Sequence, residues 1–144
     1  MTHRTDRSRR RREAGFTLLE LLVVLTIMGL LAAIAGPQVL KYLGSSRTQT
    51  AKIQVQSIVA SLELFYLDVG RYPTEAEGLR SLVEATPTAN GWNGPYLRKA
   101  EGLRDPWNAP YLYRNPGKLR AIDVLSFGSD GAEGGTGEAQ DVGN

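Results

Sequence analysis

The sequence predicts an α+β protein with a long N-terminal helix packed on a small antiparallel sheet, and three observations predict it. Residues 16–36 form one hydrophobic run of helical length. Apolar residues then recur at helical spacing as far as residue 69. Short β-prone segments separated by turn residues follow between residues 110 and 127. A helical region followed by a strand region is typical of the α+β class.

Composition limits the possible functions. The chain has 144 residues, no Cys and a single His, His3. This length fits one small domain. The lack of Cys excludes a disulfide framework, a thiolate metal site and a cysteine nucleophile. A single His argues against His-based metal clusters and Ser-His-Asp catalysis.

The net charge of +2 averages two unlike parts of the chain. Residues 1–15 contain six arginines against Asp6 and Glu13, a net charge of +4, so residues 16–144 carry −2. The basic character therefore belongs to a short leader. The rest of the chain gives no reason to expect a nucleic-acid partner.

The hydrophobic run predicts a membrane-spanning helix. Its 21 residues, 16–36, contain one charged residue, Glu20. As a helix they would span roughly 31 Å, which is enough to cross the hydrocarbon core of a bilayer. The arginines before the run are expected to stay in the cytoplasm, so the C-terminal part faces the opposite side of the membrane.

Three interpretations of this N-terminal region are open. It is a permanent signal anchor, or a secretory signal cleaved after Ala35, because Ala33-Ile34-Ala35 has the small-x-small form. Alternatively, it is a signal cut between Gly15 and Phe16, which leaves the membrane helix on the mature chain.

Glu20 discriminates between these interpretations. A carboxylate inside a hydrophobic segment costs at least about 2.5 kcal/mol unless it finds a partner. A cut before Phe16 would create an α-amino cation near Glu20, and the Glu20 of one molecule could then neutralise the amine of its neighbour. The alternative is an incidental carboxylate that reaches toward the membrane surface.

The helix is predicted to run from Phe16 to Asp68, with a kink or local unwinding near Pro37. Gly70 and Pro73 are expected to end it. After the proline the sequence becomes amphipathic, and its apolar face fits the core of a globular domain. That face contains Ala51, Val55, Ile58, Leu62, Phe65 and Val69.

The remaining sequence predicts one short helix and a few strands. A capping box, Thr74 with Glu77, indicates a helix that ends near residue 86. A weak strand is predicted at 96–98, and stronger ones at 110–114 and 119–127. Residues 115–118 would join the last two as a hairpin loop. Four aromatic side chains are expected to cover the sheet, with a carbohydrate-stacking face as the alternative: Trp92, Trp107, Tyr111 and Tyr113.

Residues 128–144 form an acidic, glycine-rich segment with no basic residue. Such a composition is typical of a mobile tail. The alternative is a loop folded around a hard cation such as Ca²⁺, which accepts carboxylate and main-chain oxygens. The spacing does not match an EF-hand, and composition leaves both alternatives open.

Several motifs carry a resemblance to a known family. Residues 15–20, Gly-Phe-Thr-Leu-Leu-Glu after a basic leader, resemble the prepilin peptidase site of type IV pilins and type II secretion pseudopilins. Strings in the rest of the chain resemble the major pseudopilin family of the type II secretion system. These are Gly70-Arg71-Tyr72-Pro73-Thr74, Glu77-Gly78-Leu79, Asp105-Pro106-Trp107, Pro110-Tyr111, Pro116-Gly117 and Ser126-Phe127-Gly128-Ser129-Asp130-Gly131.

The resemblance implies a pilin-like fold and a structural, non-enzymatic role. Residues 1–15 would be a cleaved leader, 16–36 a transmembrane and assembly helix, and 37–144 a periplasmic globular domain. Gly15 would precede the cut, Phe16 would be N-methylated, and Glu20 would be the assembly carboxylate. The chain would be a single-pass inner-membrane protein that polymerises into a periplasmic pseudopilus and helps to export proteins.

The resemblance also implies partners: further copies of the chain, minor pseudopilins, the inner-membrane secretion platform, the prepilin peptidase and the outer-membrane secretin complex. The alternatives are a type IV pilin or a minor pseudopilin, and a soluble periplasmic binding domain released by signal peptidase. Type IV pilins commonly close their C-terminal region with a disulfide, which this chain cannot make.

Calcium binding in the C-terminal loop is a further implication of the resemblance. The implied ligands are the Phe127 carbonyl, Asp130 and Asp141, with either Glu138 or Gln140 as another. The cation would fix the loop against the strand that ends at Phe127 and so replace the missing disulfide.

Overall fold

The computed structural model describes residues 16–144, and the predicted leader lies outside them. The first element is helix α1, Leu18–Val69, whose bounds agree closely with the prediction. Pro37 lies inside α1 without interrupting it, so the local unwinding considered there does not occur. After Val69 the chain turns at Gly70, whose φ of 81° is left-handed and suits glycine.

The chain divides into two compact units, one ending at Val39 and the other comprising Leu40–Asn144. The first unit is a helix with apolar side chains exposed on all faces. Within residues 16–144, α1 is the one helix long and apolar enough to cross a membrane, and none of its most apolar window is buried.

The second unit is built on the amphipathic part of α1. The predicted apolar face is confirmed, because Ala51, Val55, Ile58, Leu62 and Phe65 are almost fully buried. Val69 lies at the edge of the same core and is partly buried. Periodicity therefore identified the packing face of the helix correctly.

The sheet has three antiparallel strands in the order β1-β2-β3. These are β1 (Leu112–Arg114), β2 (Asp123–Ser126) and β3 (Val142–Gly143). Tyr113 pairs with Val124, and Ser126 pairs with Val142. One face of the sheet packs with α1 in a single core, which also contains Leu79, Leu82, Ala89, Tyr111 and Ile122.

The four aromatic residues contribute to this core. Tyr111 and Tyr113 are buried, and Trp92 and Trp107 are partly buried residues that pack against the same core. The hydroxyl of Tyr111 donates to Gln54 Oε1 of α1 at 2.7 Å, and that of Tyr113 donates to the Pro73 carbonyl at 2.8 Å. Burial raises the pKa of Tyr113 to about 12, so its hydroxyl stays a donor at neutral pH.

A largely buried carboxylate, Glu77, organises residues 71–88. Glu77 accepts two hydrogen bonds from the Arg71 guanidinium, at 2.7 and 2.8 Å, and one from the Thr74 backbone N–H. The hydroxyls of Thr86 and Thr88 also donate to it. The hydrogen bonds from Arg71 hold the pKa of Glu77 well below its usual range.

The predicted helix at residues 74–86 is wrong. Both hydrogen bonds of its capping box form, but they close a turn because Gly78 takes a left-handed φ of 58°. Only a short 3₁₀ turn, Leu79–Leu82, follows.

The strand predictions need correction, and the strand predicted at 110–114 is shortened to β1. Residues 96–98 are not a strand, since the backbone N–H groups of Tyr96 and Leu97 both donate to the Leu82 carbonyl. The predicted strand 119–127 is shortened to β2, and Leu119 is 97% exposed. The 3₁₀ turn Ala100–Leu103 and β3 were not predicted.

Candidate functional site

The N-terminal candidate site comprises Phe16 and Glu20, because Gly15 lies outside the described residues. Phe16 precedes α1 and is 82% exposed. Thr17 caps the helix, with its hydroxyl accepting the Glu20 backbone N–H at 3.2 Å. The Thr-x-x-Glu spacing is the sequence signal for this cap, and it was not used in the prediction.

Glu20 therefore stands in the first turn of α1, with its side chain exposed. A carboxylate in this position interacts favourably with the positive end of the helix dipole. Within the described part of the chain, its side chain is exposed to solvent. This geometry suits the charge-pairing role inferred for Glu20.

The C-terminal candidate site is the loop 127–141, which returns to the sheet through β3. It is folded, because the Ser129 N–H donates to the Glu138 carbonyl at 2.8 Å. Gly128 has φ 69°, and a Cβ there would lie 2.5 Å from the same carbonyl. Only glycine fits this turn. In this structure the segment is therefore a closed loop and not an extended tail.

A buried carboxylate, Asp105, fixes the start of this loop. Its Oδ2 accepts the Ser126 hydroxyl at 2.5 Å, and Ser126 Oγ accepts the Gly128 N–H at 3.2 Å. Its Oδ1 accepts the backbone N–H groups of Trp107 and Ala109. The sequence analysis missed this residue, although an Asp followed by Pro and Asn-containing turn residues is a signal for such a side-chain-capped turn.

The two predicted acidic ligands differ in their surroundings. Asp130 is exposed, and its Oδ1 accepts the Ala132 N–H at 3.1 Å. Asp141 Oδ2 accepts the Gly134 N–H at 2.9 Å, whereas its Oδ1 is buried and has no hydrogen-bond partner among residues 16–144. A buried carboxylate oxygen with no donor fits a cation ligand, because desolvation of an unpaired anion is costly.

The other predicted ligands lie elsewhere around the loop. Phe127, half-buried, follows β2 directly. The Gln140 side chain is exposed, and the Glu138 side chain is directed at α1. Within residues 16–144, no three acidic or His side chains are grouped to hold a metal. Any cation in this loop would therefore depend on main-chain carbonyls as well as on Asp130 and Asp141.

Comparisons with known proteins identify the family of the chain and the type of its N-terminal segment. Residues 38–144 match the family model described as type II secretion system (T2SS), protein G. Residues 10–36 match the prokaryotic N-terminal methylation motif. The helix, the sheet and the N-terminal site thus define a secretion pseudopilin with a methylation-type N-terminus. The chain belongs to the type II secretion system protein G family.

Individual relatives support this assignment over nearly the whole chain. The type II secretion system core protein G of Pseudomonas aeruginosa is 39% identical over 139 residues, covering 94% of this chain and 96% of that protein. The Vibrio cholerae core protein G is 37% identical over 138 residues, covering 93% and 92%.

A solved structure confirms the fold. The crystal structure of the major pseudopilin from the type 2 secretion system of enterohaemorrhagic Escherichia coli matches with a TM-score of 0.58 and 31% identity. The match covers 69% of this chain and 86% of that chain. The predicted arrangement of a long helix on a small antiparallel sheet is therefore confirmed.

Proposed function

We propose that the mature chain is a structural subunit that polymerises into the periplasmic pseudopilus of a type II secretion system and helps to drive export across the outer membrane. One observation carries this proposal: a protein G family member presents an apolar helix segment that no other part of the described chain, residues 16–144, covers. The segment 16–36 would anchor the subunit in the inner membrane and supply the contacts between copies.

Processing would prepare this segment for assembly. The arginines before Phe16 would hold the leader in the cytoplasm. A prepilin peptidase would then cut after Gly15 and methylate the new N-terminus. The exposed Glu20 carboxylate of one subunit would neutralise the N-terminal amine of its neighbour, which removes the cost of an unpaired charge in lipid.

N-terminal sequencing of the mature protein, with the composition of isolated filaments, tests this function. We expect the mature chain to begin at Phe16 and to be the dominant subunit of the filament. A mature chain beginning at Gly36 would contradict the proposal and indicate a released soluble domain. A chain that begins at Phe16 but is rare in the filament would instead be a minor pseudopilin.

We further propose that the C-terminal loop binds one Ca²⁺. Asp130 and Asp141 would contribute carboxylate oxygens, and the Phe127 carbonyl would contribute a main-chain oxygen. The unpartnered buried oxygen of Asp141 supports this proposal. A bound Ca²⁺ would supply a positive charge that links the loop to the end of β2, so the role is structural.

The calcium proposal predicts that Ca²⁺ raises the unfolding temperature of the full chain in detergent. A ligand that binds only the folded state stabilises it by mass action. Asp130→Ala should remove the effect, and Glu133→Ala, an exposed acidic position in the same loop, should keep it. A wild-type melting curve that is unchanged by chelator would contradict calcium binding.

A further inference from the structure

A close contact joins the C-terminal loop to α1. Gly44 is a buried helix position, and a Cβ built on it would overlap the carboxylate and the γ-carbon of Glu138. The absence of a side chain at position 44 thus makes room for the Glu138 side chain on the helix surface. Glycine costs about 1 kcal/mol relative to alanine inside a helix, so this contact explains an otherwise unfavourable residue.

Two further side chains surround the same carboxylate. Trp107 Nε1 donates to Glu138 Oε2 at 3.5 Å, and Arg47 Nη1 lies 3.9 Å from the same oxygen. Arg47 is more than half exposed, so this ion pair alone contributes little. The contact depends mainly on the fit of Glu138 between Gly44 and Trp107.

The backbone of Glu138 holds the other side of the loop. Its carbonyl accepts the Ser129 N–H at 2.8 Å, one residue before Asp130. Glu138 therefore contacts the start of the loop through its main chain and α1 through its side chain. A change in the loop at Asp130 can reach the helix through this one residue.

We propose that Glu138 is a clasp that docks the C-terminal loop on α1 at Gly44 and is not a cation ligand, so that cation binding in the loop also stabilises the helix around residue 44. The carboxylate of Glu138 lies against α1 at Gly44, whereas Oδ1 of Asp141 has no hydrogen-bond partner within the described residues. The stabilisation of α1 by cation binding rests on the calcium site proposed above, but the contact between Glu138 and Gly44 does not.

Calcium titration of the full chain in detergent, followed by calorimetry, separates a ligand from a clasp. We expect Glu138→Ala to bind Ca²⁺ within about twofold of the wild type, and Asp141→Asn to bind at least about tenfold more weakly, as loss of a direct ligand requires. Glu133→Ala is the matched acidic control and should bind like the wild type.

Hydrogen exchange measures the docking itself. Without Ca²⁺, Glu138→Ala and Gly44→Ala should both speed exchange at least about threefold in the loop and in the α1 segment around residue 44. Ser45→Ala, at the adjacent exposed helix position, should not. With Ca²⁺, the wild type should gain protection in both segments, and Glu138→Ala only in the loop.

Three results would overturn the proposal. A Glu138→Ala chain that loses calcium affinity as strongly as Asp141→Asn would make Glu138 a ligand. Unchanged exchange around residue 44 in both Glu138→Ala and Gly44→Ala would exclude the clasp. Calcium-dependent protection of α1 that persists in Glu138→Ala would assign the coupling to another contact. If the wild type binds no Ca²⁺, the calcium proposal and the coupling fail, while exchange without Ca²⁺ still decides the docking role.

Discussion

Glu77 shows at the scale of one residue how a small domain without disulfides holds an irregular segment. Its side chain is 9% exposed, and its hydrogen bonds come from Arg71, Thr74, Thr86 and Thr88. The donors come from two segments, 71–74 and 86–88, which the carboxylate joins. A carboxylate with this many donors is stable when buried, but its removal leaves those donors unpaired.

Glu77→Ala is therefore expected to destabilise the chain by about 2–3 kcal/mol, which is less than the roughly 3–5 kcal/mol for breaking a fully buried ion pair, because Arg71 is about one-third exposed. Denaturant unfolding in detergent measures the change. Glu84→Ala is the matched control, since the Arg80–Glu84 pair is exposed and its loss should change stability little. Equal effects of the two substitutions would contradict the structural role of Glu77.

The same residue predicts a dependence on pH. The folded-state pKa of Glu77 is lowered, so the unfolded chain binds the proton at higher pH than the folded chain. Its contribution to stability is complete above the unfolded-state pKa of about 4.3 and is lost as the pH falls through the folded-state pKa. The stability difference between the wild type and Glu77→Gln should narrow below about pH 4. A constant difference from pH 6 to pH 3 would rule out this linkage.

At the scale of elements, the sequence predicted those helices and strands that a local pattern of apolar residues specifies. The stripe from Ala51 to Phe65 repeats at helical spacing over four turns, so α1 was found with its buried face. β3 was missed, because two residues, Val142 and Gly143, give no alternation and form a strand only by pairing with β2. The turn at Gly78 was likewise missed, since the capping box before it is equally compatible with a helix.

The candidate sites divide in the same way. The N-terminal motif is contiguous in sequence, so it could be recognised directly. The match of residues 10–36 to the N-terminal methylation motif confirmed the resemblance to the pilin-like family. In the C-terminal loop, the sequence could not assign a direction to the Glu138 side chain, which depends on a contact with Gly44, 94 positions earlier. Asp105 was missed for the same reason, because its partner Ser126 lies 21 residues away. The calcium ligands remain predictions.

Phe65→Ala should test the packing of α1. Phe65 is fully buried and contacts the ring of Tyr96 edge-on with centroids 5.7 Å apart. Its truncation should cost about 3–5 kcal/mol in unfolding free energy. Leu67→Ala, in the same helix at a position 76% exposed, should change stability by less than about 0.5 kcal/mol. A larger loss for Leu67→Ala would reverse the assignment of the buried face.

At the scale of the whole molecule, the two units expose different chemistry. The unit that ends at Val39 exposes apolar side chains, whereas the unit from Leu40 to Asn144 contains the core and the acidic loop. A monomer with so much uncovered apolar surface is suited to lipid or to other copies of the chain. Glu20 is the one charged residue between residues 16 and 39, whereas the loop 127–141 contains four acidic residues and no basic one.

Glu20→Leu is expected to leave membrane insertion intact and to impair assembly, because the substitution removes the anion that would pair with a neighbour's N-terminal amine. Membrane fractionation and cross-linking of filaments measure the two steps separately. Thr26→Leu is the matched control: Thr26 is a polar residue in the same segment whose hydroxyl already donates to the Leu22 carbonyl at 2.7 Å. Normal filaments from the Glu20→Leu chain would refute the pairing role.

The position of β3 has a consequence for biosynthesis. Val142 belongs to the core and pairs with β2, yet a ribosome synthesises it after almost every other core residue. Until it has been synthesised, one edge of β2 has no partner, and free edges of this kind pair readily with other chains. If synthesis stalls before residue 142, the nascent chain therefore exposes both an unpaired strand edge and an incomplete core. Addition of Val142 thus completes the core and covers this edge of β2, which lowers the tendency of the domain to aggregate.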